Sequence, residues 1–122
     1  METPVTIDLD GFWTWLLGHP NCILRAGTPE IVLYDHEDLH WLFFEEGPDT
    51  LLIQVVRGKH AVGELYIKRE EVAYVQQGLS ERDDEFVFDL MSPAQPEPFA
   101  AYFIVLAHDF GEEAAEASGR IH

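Results

Sequence analysis

From residue 22 onward the chain breaks into short apolar runs, with Gly, Pro or Asp at nearly every junction. Runs of this length suit β-strands, and tight junctions of these residues suit antiparallel pairing. Cys22–Ala26 is followed by Gly27-Thr28-Pro29. Glu30–Asp35 contains Ile31-Val32-Leu33-Tyr34 and is followed by a polar turn at Asp35–Asp38. Leu39–Glu45 carries Trp41, Leu42, Phe43 and Phe44, and Gly47-Pro48-Asp49 turns it. Thr50–Arg57 has Gln54 as its one polar interruption, and Gly58-Lys59-His60 turns again. In Ala61–Lys68, Leu65 and Ile67 alternate with Glu64, Tyr66 and Lys68, the pattern of a strand with one wet face. These five strands read as a meander. Two more are expected at Glu85–Met91 and at Phe99–His108. The latter is the most apolar and is expected inside the sheet.

Two segments carry a helical period instead. Leu9, Phe12, Trp13, Leu16 and Leu17 form one stripe, with Asp8 placed to cap the start and Gly18-His19-Pro20 to end it. Gly11 inside that helix costs about 1 kcal/mol relative to Ala. Between Arg69 and Leu79, Val72, Val75 and Leu79 share a helical face, and Glu70 and Glu71 fall in the first turn. The expectation is therefore an α+β fold: an antiparallel sheet of about seven strands packed with an N-terminal helix and a second helix near residues 69–79. The 122 residues suit a single domain, 1–122, with 111–122 a frayed or disordered tail.

Charge limits the functional classes. There are 23 acidic residues against 7 Lys and Arg, a formal charge of −16. Such a field repels phosphate backbones and anionic membrane surfaces, and it speeds encounters with basic proteins. No nucleic-acid or membrane partner is expected. High charge also keeps a protein soluble. No apolar run reaches the roughly 18 residues of a membrane span, and Met1-Glu2-Thr3-Pro4 lacks the basic start of a signal peptide. The lone Cys22 cannot form an intramolecular disulfide. A cytoplasmic location follows as the expectation.

One string has catalytic form. His36-Glu37-Asp38-Leu39-His40 matches H-E-x-x-H. On a helix this spacing aims two imidazoles at one zinc ion, with the glutamate as general base. Here it lies between two strand-like runs, where a hairpin turn is the better reading. A helix capped by Asp35 and running through Phe44 would be apolar nearly all round. Phe43 stands where the longer protease pattern needs Gly, and the third ligand is undefined: Glu64 or His60 could serve, but neither lies in a recognisable setting. A metal-dependent hydrolase built on His36, Glu37 and His40 is thus the alternative reading, with no cofactor expected under the main one. A Cys22–His19 pair lacks an orienting third group. No G-x-S-x-G elbow or Gly-rich phosphate loop is present. Asp89 is expected to face solvent opposite Phe88 and Leu90.

The main reading is a non-catalytic acidic module that holds or inhibits a basic protein partner. The acidic residues gather at expected turns, so turns sharing one end of a sheet would form a negative rim. The candidate partner-binding residues are Glu45, Glu46 and Asp49, with Asp83, Asp84 and Glu85, and Trp15 as an exposed aromatic anchor. Element order and charge, without any shared motif, resemble small acidic secretion chaperones and bacterial immunity proteins that neutralise a toxin. The resemblance implies an inhibitory or chaperone-like role. A homodimer is a further possibility, because a sheet so rich in apolar strands has a face or edge to cover.

Overall fold

The computed structural model describes residues 5–78, 82–107 and 110. Among them the fold is α+β, with nine antiparallel strands in two sheets and one α-helix. The elements are β1 (Val5–Ile7), α1 (Leu9–Leu17), β2 (Ile23–Gly27), β3 (Val32–Tyr34), β4 (His40–Glu45), β5 (Thr50–Arg57), β6 (His60–Lys68), β7 (Tyr74–Gly78), β8 (Phe86–Met91) and β9 (Ala100–Leu106). The larger sheet has the order β1-β7-β8-β9-β2-β3, and the smaller is the meander β4-β5-β6. His108 at the end of the last expected strand, Leu79 of the expected second helix and the stretch 111–122 lie outside the described residues.

Helix α1 forms as its pattern requires. The Asp8 side chain accepts the Gly11 N–H at 3.0 Å, and the glycine leaves room for that carboxylate. Any Cβ at position 11 would sit 2.8 Å from Asp8 Oδ1. Leu9, Phe12, Trp13 and Leu16 are buried, whereas Leu17 is exposed. Gly18 ends the helix with φ −88°, outside the left-handed region. The helix joins the two sheets. The Trp13 ring meets Phe43 of β4 edge-on at 5.7 Å, and the Phe12 ring lies 5.1 Å from Phe88 of β8.

Those contacts place the core. The inner face of the larger sheet carries Val75, Phe88, Leu90, Tyr102, Ile104, Leu106, Ile23 and Ala26. Opposite lie Trp41, Leu51, Ile53, Val55, Leu65 and Ile67 of the smaller sheet. The alternation in β6 holds: Leu65 and Ile67 are buried, and Glu64, Tyr66 and Lys68 point out. Gln54, the interruption in β5, turns outward and donates to Glu64 at 2.7 Å. Its outer face also shows Leu42, Phe44 and Tyr66, the apolar surface that the homodimer expectation would require. Gly58 takes φ 61° while Lys59 does not take a positive φ, which is the mirror-image two-residue hairpin turn.

Three expectations are corrected. The second helix is absent among the described residues: Arg69–Glu71 is a single 3₁₀ turn, and Tyr74–Gly78 is strand β7 between β1 and β8. Val72 and Val75 are three apart because a bend separates them, and β-branched and aromatic residues here favour the strand. Strand β1, at three residues, is too short to show a period. The five-strand meander is split, because β2–β3 pair in the larger sheet and only β4–β6 form the smaller one. The crossing falls at 35–39, where Trp41 donates its indole N–H to Asp35 at 2.9 Å.

Asp89 lies on the outer face of the larger sheet, between Gln76 and Phe103 of its neighbours, and is half-buried rather than fully wet. Burial raises its carboxyl above the ordinary 3.8. The folded state therefore holds this proton to higher pH than the unfolded chain. Stability contributed by Asp89 is greatest below about 3.8 and falls as pH rises through the window above it. Asp89→Asn is expected to raise the thermal midpoint at neutral pH. It should leave the midpoint unchanged near pH 3, where both states are largely protonated. Thermal scans of the two proteins at these pH values check this, and a lowered midpoint at neutral pH would refute it.

Candidate functional site

A cleft of about 680 Å³ opens where three connections meet. Thr28, Pro29 and Glu30 come from the β2–β3 turn. Glu70 and Glu71 come from the 3₁₀ turn before β7. Ser92, Pro93, Ala94 and Phe99 come from the β8–β9 loop, and Ala101 and Tyr102 form the start of β9.

Each wall is fixed by local chemistry. Thr28 Oγ1 accepts the N–H groups of Glu30 and Ile31, both at 3.2 Å, and the Thr28 N–H donates to Ile31 O at 2.9 Å. That closes a tight turn over Gly27. Ser92 is buried, and its Oγ accepts N–H bonds from Ala94 at 3.4 Å and Phe99 at 3.1 Å. Its own N–H donates to Phe99 O at 2.8 Å, so one serine clamps both ends of the 93–98 loop. Phe99 stands beyond the clamp with 59% of its surface exposed.

Tyr102 forms the floor. Its phenol O–H donates to the Glu71 carboxylate, and its oxygen accepts the Lys68 N–H at 3.3 Å. Burial, then the hydrogen-bonded Glu71 carboxylate, push the phenol up to about 12. The proton therefore stays on Tyr102 at neutral pH and holds Glu71 at the cleft wall.

The electrostatics are one-sided. Arg69 turns away from the cleft, pairing with Asp10 and, at 3.4 Å, with Glu45. Among the described residues no cation pairs with Glu30, Glu70 or Glu71. Three carboxylates thus line or rim a cleft whose other walls are mostly apolar.

The residues expected from the sequence fall in three places. Glu45 ends β4, and Glu46 and Asp49 lie in the turn between β4 and β5. Asp49 O accepts the Arg69 N–H at 2.9 Å, so this cluster lies beside the 3₁₀ turn that carries Glu70 and Glu71. Asp83, Asp84 and Glu85 lie elsewhere. They precede Phe86, which pairs with Leu106, whereas the cleft lies at the other end of β8–β9, where Leu90 pairs with Tyr102. Glu85 is also engaged: its side chain is 14% exposed, 3.0 Å from Arg25 and 3.6 Å from Arg82. The two clusters do not form one rim. Trp15 is half-buried among Phe12, His19, Phe88 and Phe110, with ring centroids 4.5 to 5.9 Å away. Its indole Nε1 is buried without a hydrogen bond among the described residues.

The H-E-x-x-H string is not helical. The Leu39 N–H donates to His36 O at 2.9 Å, which closes a turn, and His40 begins β4. The turn is as expected, but it connects two sheets and is not a hairpin. His36 Nδ1 accepts the Asp38 N–H at 3.2 Å, a local use of the ring. Among the described residues, no three His, Cys, Asp or Glu side chains are grouped to hold a metal ion. Cys22 closes the 3₁₀ turn Pro20–Cys22, while His19 donates from Nδ1 to Trp15 O at 2.7 Å.

Glu70 and Glu71 lie on a 3₁₀ turn and not on the expected helix, and Glu30, Phe99 and Tyr102 join them at the cleft without having been expected there. The available signal was Phe99, a large aromatic directly after the Pro-rich 93–98 loop. No helix among the described residues is long and apolar enough to cross a membrane. No family model, curated protein or solved structure matches the chain.

Proposed function

We propose that this protein is a non-catalytic binding module that holds or inhibits a basic protein partner at its cleft-bearing acidic end. One observation carries the reading: Glu30, Glu70 and Glu71 surround a preformed, mostly apolar cleft and have no cationic partner among the described residues. Carboxylates left unpaired beside an apolar wall attract a cation and then strengthen once the wall excludes water. The exposed Phe99 offers an aromatic anchor of the kind that dominates interface energetics. Glu45, Glu46 and Asp49 extend the negative field beside it, and the net charge of −16 adds long-range steering. An immunity-like or chaperone-like role is consistent with such a surface.

The test is a calorimetric titration with an acetylated, amidated (Gly-Lys)₄ peptide. Affinity should fall at least about tenfold between 20 and 200 mM salt, as expected of an interaction carried by exposed charges. Absence of binding at low salt, or affinity indifferent to salt, would overturn the reading.

A further inference from the structure

We propose that the cleft receives an arginine side chain of the basic partner, in preference to lysine. This deepens the binding-module reading and rests on it.

The chemistry of the walls selects the ligand. The cleft volume lies within the roughly 300–1,000 Å³ typical of ligand sites, so it holds a long side chain together with the backbone on either side. Apolar surface from Pro29, Pro93, Ala94 and Ala101 suits an aliphatic stem. Phe99 presents an exposed aromatic ring at the mouth, and a guanidinium stacks on such a ring better than a strongly hydrated ammonium does. Glu70 and Glu71, consecutive in the 3₁₀ turn, supply two carboxylates to the same cleft. Tyr102 occupies one oxygen of Glu71, leaving the other oxygen and all of Glu70 as acceptors. A planar fork of N–H donors can engage both carboxylates at once, while an ammonium acts as a point charge. The molecule already holds an arginine in a comparable way next door, where Arg69 bridges Asp10 and Glu45.

The experiment compares (Gly-Arg)₄ with (Gly-Lys)₄, equal in length and charge, by calorimetry at low salt. Backbone amide NMR of the labelled protein accompanies each titration. The arginine peptide should bind about fivefold tighter or more, the factor that one stacked and bidentate contact supplies. Its shift changes should centre on residues 28–30, 70–71 and 99–102. Phe99→Ala and Glu70→Gln should each reduce the preference toward unity while weakening (Gly-Lys)₄ less. Both positions are exposed, so neither change threatens folding, and the NMR spectrum verifies this directly. Equal affinity for the two peptides would overturn the arginine assignment while leaving the acidic-surface reading intact. So would a preference that survives both substitutions, or shifts centred on residues 83–86. Failure of both peptides to bind would overturn the inference together with the reading beneath it.

Discussion

Phe88→Ala should lower the free energy of unfolding by about 3–5 kcal/mol, the upper range for loss of a large buried side chain. Phe88 is 0% exposed. Its strand is interior, with β7 on one side and β9 on the other, and its pleat partners are Gln77 and Ile104. Above it sit the Phe12 ring at 5.1 Å and the Trp15 ring at 5.5 Å, both on α1. Removing the ring therefore loses its burial and leaves a void between a sheet and a helix. Neither wall can close it easily, because α1 is held to the smaller sheet through Trp13 and Phe43. Urea unfolding with an unchanged m-value would measure the loss. Phe99→Ala serves as the control, since its ring is mostly exposed and the cost should stay below about 1 kcal/mol. Comparable losses for the two variants would refute the assignment of the core to this face.

Gly27→Ala should cost on the order of 2–4 kcal/mol, a large effect for one added methyl group. A Cβ at position 27 would lie 2.1 Å from Ile31 O and 2.9 Å from Val32 Cα. Both are backbone atoms, so no rotamer change relieves the overlap. The β2–β3 turn would have to open, breaking the Thr28 N–H to Ile31 O bond and the two N–H bonds to Thr28 Oγ1. Those bonds also set Pro29 and Glu30 at the cleft, so the same substitution should weaken binding of a basic peptide. Thermal unfolding and peptide titration of one variant read both consequences. A stable variant with a normal amide spectrum at residues 28–32 would contradict the geometry.

The strand architecture was legible because its signals are local. Glycine, proline and aspartate at the junctions of apolar runs locate seven of the nine strands among the described residues to within a few positions, and Leu65 and Ile67 mark the buried face of β6. What failed depends on distant partners. Val72 and Val75 fit a helical spacing, yet β1 and β8 need a strand between them, and nothing local reports that need. The division into two sheets was hidden for the same reason: a crossing turn and a hairpin turn use the same residues, and only pairing distinguishes them. The acidic residues were visible, but their grouping was not. Glu85 looks like its neighbours in sequence and is engaged by Arg25, sixty positions away. The cleft combines segments near residues 29, 70, 93 and 101, which no spacing rule connects.

The central claim is that binding resides at the cleft end and not at the β7–β8 connection. The direct measurement is the low-salt affinity of (Gly-Lys)₄ for two charge-matched sets of substitutions. One is the double variant Glu30→Gln and Glu70→Gln, and the other is Asp83→Asn and Asp84→Asn. Each removes two exposed carboxylates, so general field effects are equal. The cleft variant is predicted to lose about fivefold to tenfold in affinity, with the other nearly unchanged. Equal losses, or a larger loss from Asp83 and Asp84, would contradict the account.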